Sequence, residues 1–234
     1  EMQTIASGVS DLKKVLTNVK TRGVLGEIQL GNILEEIMAP DQYESNVKTK
    51  SGSDALVEYA VKLPGRNPQD KSVYLPIDAK FPQEDYVRLQ SAYEAGDSIA
   101  VEVSLKALLQ AVKKFAKDIS TKYIDPPNTT DFGIMFLPVE GLFAEVVRQP
   151  DMISFLQREY KIVVTGPTTL AAMLNSLQMG FKTLAIQKRS SEVWKVLAAV
   201  KKEFSTFGGV LEKAQKKINE ANNEIENLVG TRTR

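Results

Sequence analysis

The apolar positions Met2, Ile5, Val9, Leu12, Leu16 and Val19 recur at alternating steps of three and four residues. That rhythm draws one apolar stripe along a helix and predicts a helix over residues 1–20. A longer seam of the same kind runs through Val193, Leu197, Val200, Phe204, Phe207, Leu211, Ala214, Ile218, Ala221, Ile225 and Leu228. Its spacing is that of a heptad. Gly208 and Gly209 interrupt the seam, each costing about 1 kcal/mol relative to alanine, so a kink or break is expected there. The two stripes can pack against each other within the chain or, as the alternative, against a second copy.

Between these ends the period changes. A helix is predicted over Leu25 to Met38, then strands near Tyr43 to Thr49, Leu56 to Leu63 and Val73 to Lys80, with Gly65, Asn67 and Pro68 making the last connection a loop. Helices follow through Asp85 to Ala95 and Leu105 to Ile119. Two strongly apolar strands lie in FGIMFLPVE and KIVVTGP, closed by Pro138 and Pro167, and helix resumes over Thr168 to Leu177. Strands separated by helices argue for an α/β protein with a helix-covered sheet rather than a sandwich. The division read from the sequence is an N-terminal helix (1–20), a core (21–180) and long C-terminal helices (181–234).

Composition narrows the chemistry. With no cysteine and no histidine among 234 residues, disulfides, thiolate nucleophiles, serine–histidine triads and zinc sites built on either residue are excluded. Hydrolysis would have to rest on carboxylates, lysine and a hard cation such as Mg2+ or Mn2+. A net charge of +1 neither favours nor excludes nucleic acid. No apolar run reaches the roughly 18–20 residues of a membrane span, so no membrane contact is expected from this segment, and the lack of cysteine fits a reducing compartment, with the cytoplasm as the expected location. The first residue is Glu within a helical pattern, which reads as a fragment of a longer chain.

One constellation fits that chemistry. Asp78 and Lys80 lie two apart on a strand and share a face, with Ile77 and Ala79 on the other; Glu58 sits on the more polar face of the preceding strand. If the strands pair, two acids converge beside a lysine, able to hold Mg2+ and to position an attacking water or a phosphate. Glu27, in GVLGEIQL, can add a further carboxylate. On spacing alone a solvated strand face with an ion pair is the commoner arrangement. The apolar flanks of IDAK, with Pro76 and Pro82, place these charges where a sheet would otherwise bury hydrophobes, and burial is costly unless the charges are paired or metal-bound.

These residues resemble the PD-(D/E)xK nuclease superfamily, with Glu58 as first acid and Asp78-Ala79-Lys80 as second acid and lysine. The strings RGVLGEIQLGNILEE, VEYAVKLPG, YLPIDAKFPQEDYVRL, KYIDPPNTTDFGIMFLPVEGLFAEV, GPTTLAAMLNSLQMGF and SSEVWKVL resemble the RmuC family along the whole chain. The resemblance implies a restriction-endonuclease-like mixed sheet covered by helices and flanked by coiled-coil-type helices. It also implies a role in DNA recombination and, in full-length members, an N-terminal membrane or coiled-coil segment. The implied activity is a Mg2+-dependent deoxyribonuclease in which Glu58, Asp78 and Glu27 hold metal and Lys80 assists the attacking water. The alternative is a DNA-binding scaffold that does not cleave. The superfamily's Pro-Asp is Val57-Glu58 here, with Asp54 as a fallback acid.

Other features are weaker. GPTTLAAML could hold phosphate at a helix N-terminus, although capping by Thr168 or Thr169 is the preferred account, and it lacks the P-loop lysine element. Asp131 is either structural or a partner of the site. Among basic residues, Arg22, Lys122 and Lys188 are the candidates for DNA phosphates. Tyr123 and Phe181 could stack on bases, but core packing is the reading preferred for both, and for Trp194.

Overall fold

A computed structural model describes residues 19–64 and 72–232. The helix expected over 1–20 and the loop at Gly65, Asn67 and Pro68 lie outside those residues, apart from the last two positions of the former. The first described helix, α1 (Val19–Ile37), is followed by strands β1 (Tyr43–Val47), β2 (Val57–Leu63) and β3 (Val73–Ala79). Then come α2 (Gln83–Ala95), α3 (Ser98–Tyr123), β4 (Gly133–Phe136), α4 (Glu140–Val147), α5 (Pro150–Glu159), β5 (Ile162–Thr165) and α6 (Pro167–Arg232). The chain divides into two units, residues 1–179 and 180–234.

In the first unit the five strands form one mixed sheet in sequential order. β1, β2 and β3 are antiparallel neighbours, whereas β3, β4 and β5 run parallel. Parallel neighbours need a long return path, which α2 and α3 supply between β3 and β4, and α4 and α5 supply between β4 and β5. α4 and α5 have no counterpart in the sequence reading. Only Leu142, Val146 and Leu156 in this stretch are fully buried, so short amphipathic helices leave little periodic signal.

α3 begins where the Asp97 carboxylate accepts hydrogen bonds from Ile99 N and Ala100 N, a side-chain N-cap. Its buried stripe Ser104, Leu108, Val112, Ala116 and Ile119 steps by three and four and packs on Met135, Ile162 and Val164 of the sheet. α1 packs on β3, where an added Cβ on Gly26 would stand 3.5 Å from Ala79 Cβ and 3.5 Å from Pro138 Cγ. Ala79 therefore faces α1. Asp78, one residue earlier, points to the α3 side with Met135, its register partner on β4.

In the second unit α6 is helical through Gly208 and Gly209, so the expected break is not there. The cost of two glycines is too small to interrupt a helix this long. Trp194 is 69% exposed in the second unit.

Candidate functional site

The site forms at the C-terminal end of β3, where the sheet changes from antiparallel to parallel pairing. Tyr59 pairs with Ile77, and continuing that register brings Glu58 alongside Asp78. The Glu58 carboxylate accepts a 2.8 Å hydrogen bond from Ala79 N, at the point where β3 ends and its backbone donor would otherwise go unpaired. Lys80 N donates to Phe136 O on β4 at 2.9 Å, which fixes the residue that carries the lysine. Asp78 is 1% exposed; its Oδ2 is in ion-pair contact with Lys80 Nζ without forming an aligned hydrogen bond. Lys80 Nζ also donates to Ala79 O at 3.2 Å and stands 3.9 Å from Glu58 Oε1.

Burial sets the electrostatics. Removal from water pushes the Glu58 carboxyl up to about 7, reinforced by the Asp78 and Glu27 charges and opposed by Ala79 N–H and Lys80. Burial likewise raises Asp78, with Lys80 and Lys122 pulling the other way. Glu58 is thus the member of the cluster whose charge changes near neutral pH.

Glu27, exposed on α1, lines the same cavity of about 390 Å3 as Glu58, Lys80, Gln83 and Asp85. Among the described residues no three acidic side chains are grouped closely enough to enclose a metal ion. The donor set still fits a hard dication, because Mg2+ is commonly held by one or two carboxylates and completes its shell with water and substrate oxygens. Asp78 and Glu58 would supply those carboxylates, with Glu27 at the rim. Asp54, the fallback acid, is fully exposed, paired with Lys48 at 2.7 Å, and lines a different cavity from the one that Glu58 and Lys80 share. Asp131 is exposed and does not line the cavity that Glu58 and Lys80 share.

Tyr123, for which core packing was preferred, belongs to this cluster. Its phenol lies close enough to feel both acids: burial, together with the Asp78 and Glu58 charges, pushes it up to about 12. Its ring is half-buried against the core, so the packing role holds as well. Its own carbonyl accepts a 2.8 Å bond from the buried Thr49 hydroxyl, and Thr121 O accepts from Lys50 Nζ at 2.9 Å, so the 49–50 segment braces the end of α3. The sequence holds no local signal for this, since Tyr123 lies 45 positions after Asp78. The exposed Lys122 beside it is close enough to act on Asp78. The side chains of Arg22 and Lys188 lie outside the description.

The N-terminus of α6 is not an open anion site. Glu140 Oε1 accepts from Thr168 N and Thr168 Oγ, both at 2.6 Å, so a carboxylate from α4 already caps it. Another cavity, of about 1150 Å3 and lined by Glu44, Lys62, Tyr74 and residues 48–54, does not include Glu58 or Asp78. Its lysines are engaged: Lys48 with Asp54, Lys62 with Glu44, and Lys50 with Thr121 O.

Fold and site together define a mixed α/β protein with a buried acid–acid–lysine cluster at the end of a central strand. The chain matches the RmuC family over residues 1–234 and belongs to it. It is 55% identical over 219 residues to the DNA recombination protein RmuC homolog of Xylella fastidiosa, covering 94% of this chain and 48% of that protein. It is 28% identical over 213 residues to DNA recombination protein RmuC of Escherichia coli K12, covering 86% and 44%. With the homolog of Chlamydia muridarum it shares 28% over 185 residues, covering 78% and 40%. The chain thus spans less than half the length of these curated relatives. No solved structure matches it.

Proposed function

We propose that this region hydrolyses DNA phosphodiester bonds with the help of Mg2+ or Mn2+ and serves DNA recombination, the role its relatives are named for. The observation that carries the reading is the convergence of Glu58, Asp78 and Lys80 at one strand end, in a protein without histidine or cysteine. A bound dication would lower the pKa of a water and offset charge on the phosphate. Asp78, paired with Lys80, would supply a carboxylate to hold that ion. Glu58, whose carboxyl sits near neutrality, would hold or release a proton beside them. Lys80 would neutralise phosphate charge when it shifts from Asp78. Lys122, at the open side of the cluster, would meet the DNA backbone. The restriction-endonuclease-like arrangement implied by the resemblance is compatible with the observed sheet and is part of this proposal.

The second reading, a DNA-binding scaffold that does not cleave, draws support from the lack of a three-acid group among the described residues. Incubating single-stranded, double-stranded and branched DNA with the purified chain in Mg2+, Mn2+ or EDTA separates the two. Cutting that needs metal and disappears in Asp78→Ala supports the hydrolase; binding without cutting in every condition supports the scaffold.

A further inference from the structure

We propose that α6 pairs antiparallel with α6 of a second copy of this chain, through the seam from Val193 to Ile225 centred on Gly208 and Gly209. This inference is independent of the reaction proposed above.

In the second unit the seam residues Val193, Leu197, Val200, Phe204, Phe207, Leu211, Ala214, Ile218, Ala221 and Ile225 are all exposed. Phe204 is 71% exposed and Phe207 60%. Their steps of four and three repeat without a slip across Gly208 and Gly209, where the helix is unbroken. A strict seven-residue repeat is the signature of a helix that supercoils with a partner helix.

Side-chain volume selects the direction. In a parallel pair each residue meets its own copy, so Phe204 and Phe207 would crowd successive layers while Ala214 and Ala221 would leave gaps. Both errors destabilise a close-packed core. In an antiparallel pair the layers become Leu211 with Phe207, Phe204 with Ala214, Leu197 with Ala221, Ile218 with Val200, and Ile225 with Val193. Both alanines then face large partners. Charge agrees. In this register the flanking position Glu203 meets Lys217 of the other helix, twice by symmetry, whereas a parallel pair would set Glu203 against Gly208 and Lys217 against Asn222. Val210 meets its own copy at the two-fold axis. Gly208, beside it, offers no side chain, and an added Cβ would meet nothing within 4 Å in its own chain.

The test uses the full chain, whose lack of cysteine makes single substitutions report cleanly. Sedimentation equilibrium is expected to give a dimer, and Phe204→Glu a monomer with the same helical circular dichroism. Under mild oxidation Val210→Cys is expected to link into a covalent dimer, whereas Val193→Cys, roughly 48 Å from its copy at 1.5 Å per residue, is not. Glu203→Lys is expected to weaken the dimer at least tenfold, and adding Lys217→Glu to restore it. A wild-type chain that stays monomeric at high micromolar concentration overturns the proposal, as does linking by Val193→Cys without linking by Val210→Cys.

Discussion

At the scale of the residue, Asp78 and Glu58 show how backbone position sets chemistry. Asp78 is buried because β3 is a central strand, and it stays polar because Lys80 and Tyr123 face it. Under the proposed reaction, Asp78→Ala or Lys80→Ala is expected to lower cleavage by roughly 100-fold or more, measured on radiolabelled DNA, with folding nearly intact. Tyr123→Phe, which removes the hydroxyl beside the two acids and keeps the ring, should lower the rate about tenfold with little change in DNA affinity. Glu58 also predicts a pH dependence. Its carboxyl rises from an ordinary 4.5 to about 7 on folding, so its contribution to stability is fully present below about 4.5 and is lost as pH climbs through 7. Glu58→Gln, which can still accept from Ala79 N, should flatten that slope. In metal-free buffer at pH 8 it should be more stable than the parent by about 2 kcal/mol in urea unfolding.

At the scale of the element, two side-chain caps start helices of the first unit. Asp97 starts α3, the helix that delivers Lys122 and Tyr123, while Glu140 reaches from α4 to start α6. Replacing either by alanine is expected to cost about 1 kcal/mol in denaturant unfolding. Gly31→Ala should cost more, because an added Cβ would meet the Tyr59 hydroxyl at 2.5 Å where α1 lies over β2. The long helices and the strands carrying the site were legible from period alone. The α3 stripe, for instance, repeats at the spacing that burial requires. α4 and α5 were not legible: each is about two to three turns long and buries only one or two side chains fully. The pairing of Glu140 with Thr168 was also invisible, since the local Thr168 or Thr169 cap reads equally well until the 28-residue separation is closed in space.

For the whole molecule, metal binding and folding should be coupled if the proposed site holds a dication. Ligand that binds only the folded state stabilises it by about 2.7 kcal/mol at a hundred times its Kd. Mg2+ should therefore raise the unfolding midpoint of the parent chain and leave that of Asp78→Ala unmoved, as differential scanning fluorimetry would show. Equal shifts in both would place the ion elsewhere.

The sequence alone determined the α/β alternation, the excluded chemistries and the strand faces of Asp78 and Glu58. Each depends on residue type or on spacing within one element, which a linear chain records directly. Only the tertiary structure decided that Tyr123 joins the acids, that Asp54 stays outside, and that a carboxylate already fills the α6 N-terminus. These are distances between elements far apart in sequence, fixed by the order of strands in the sheet and the packing of helices on it. No local pattern encodes them.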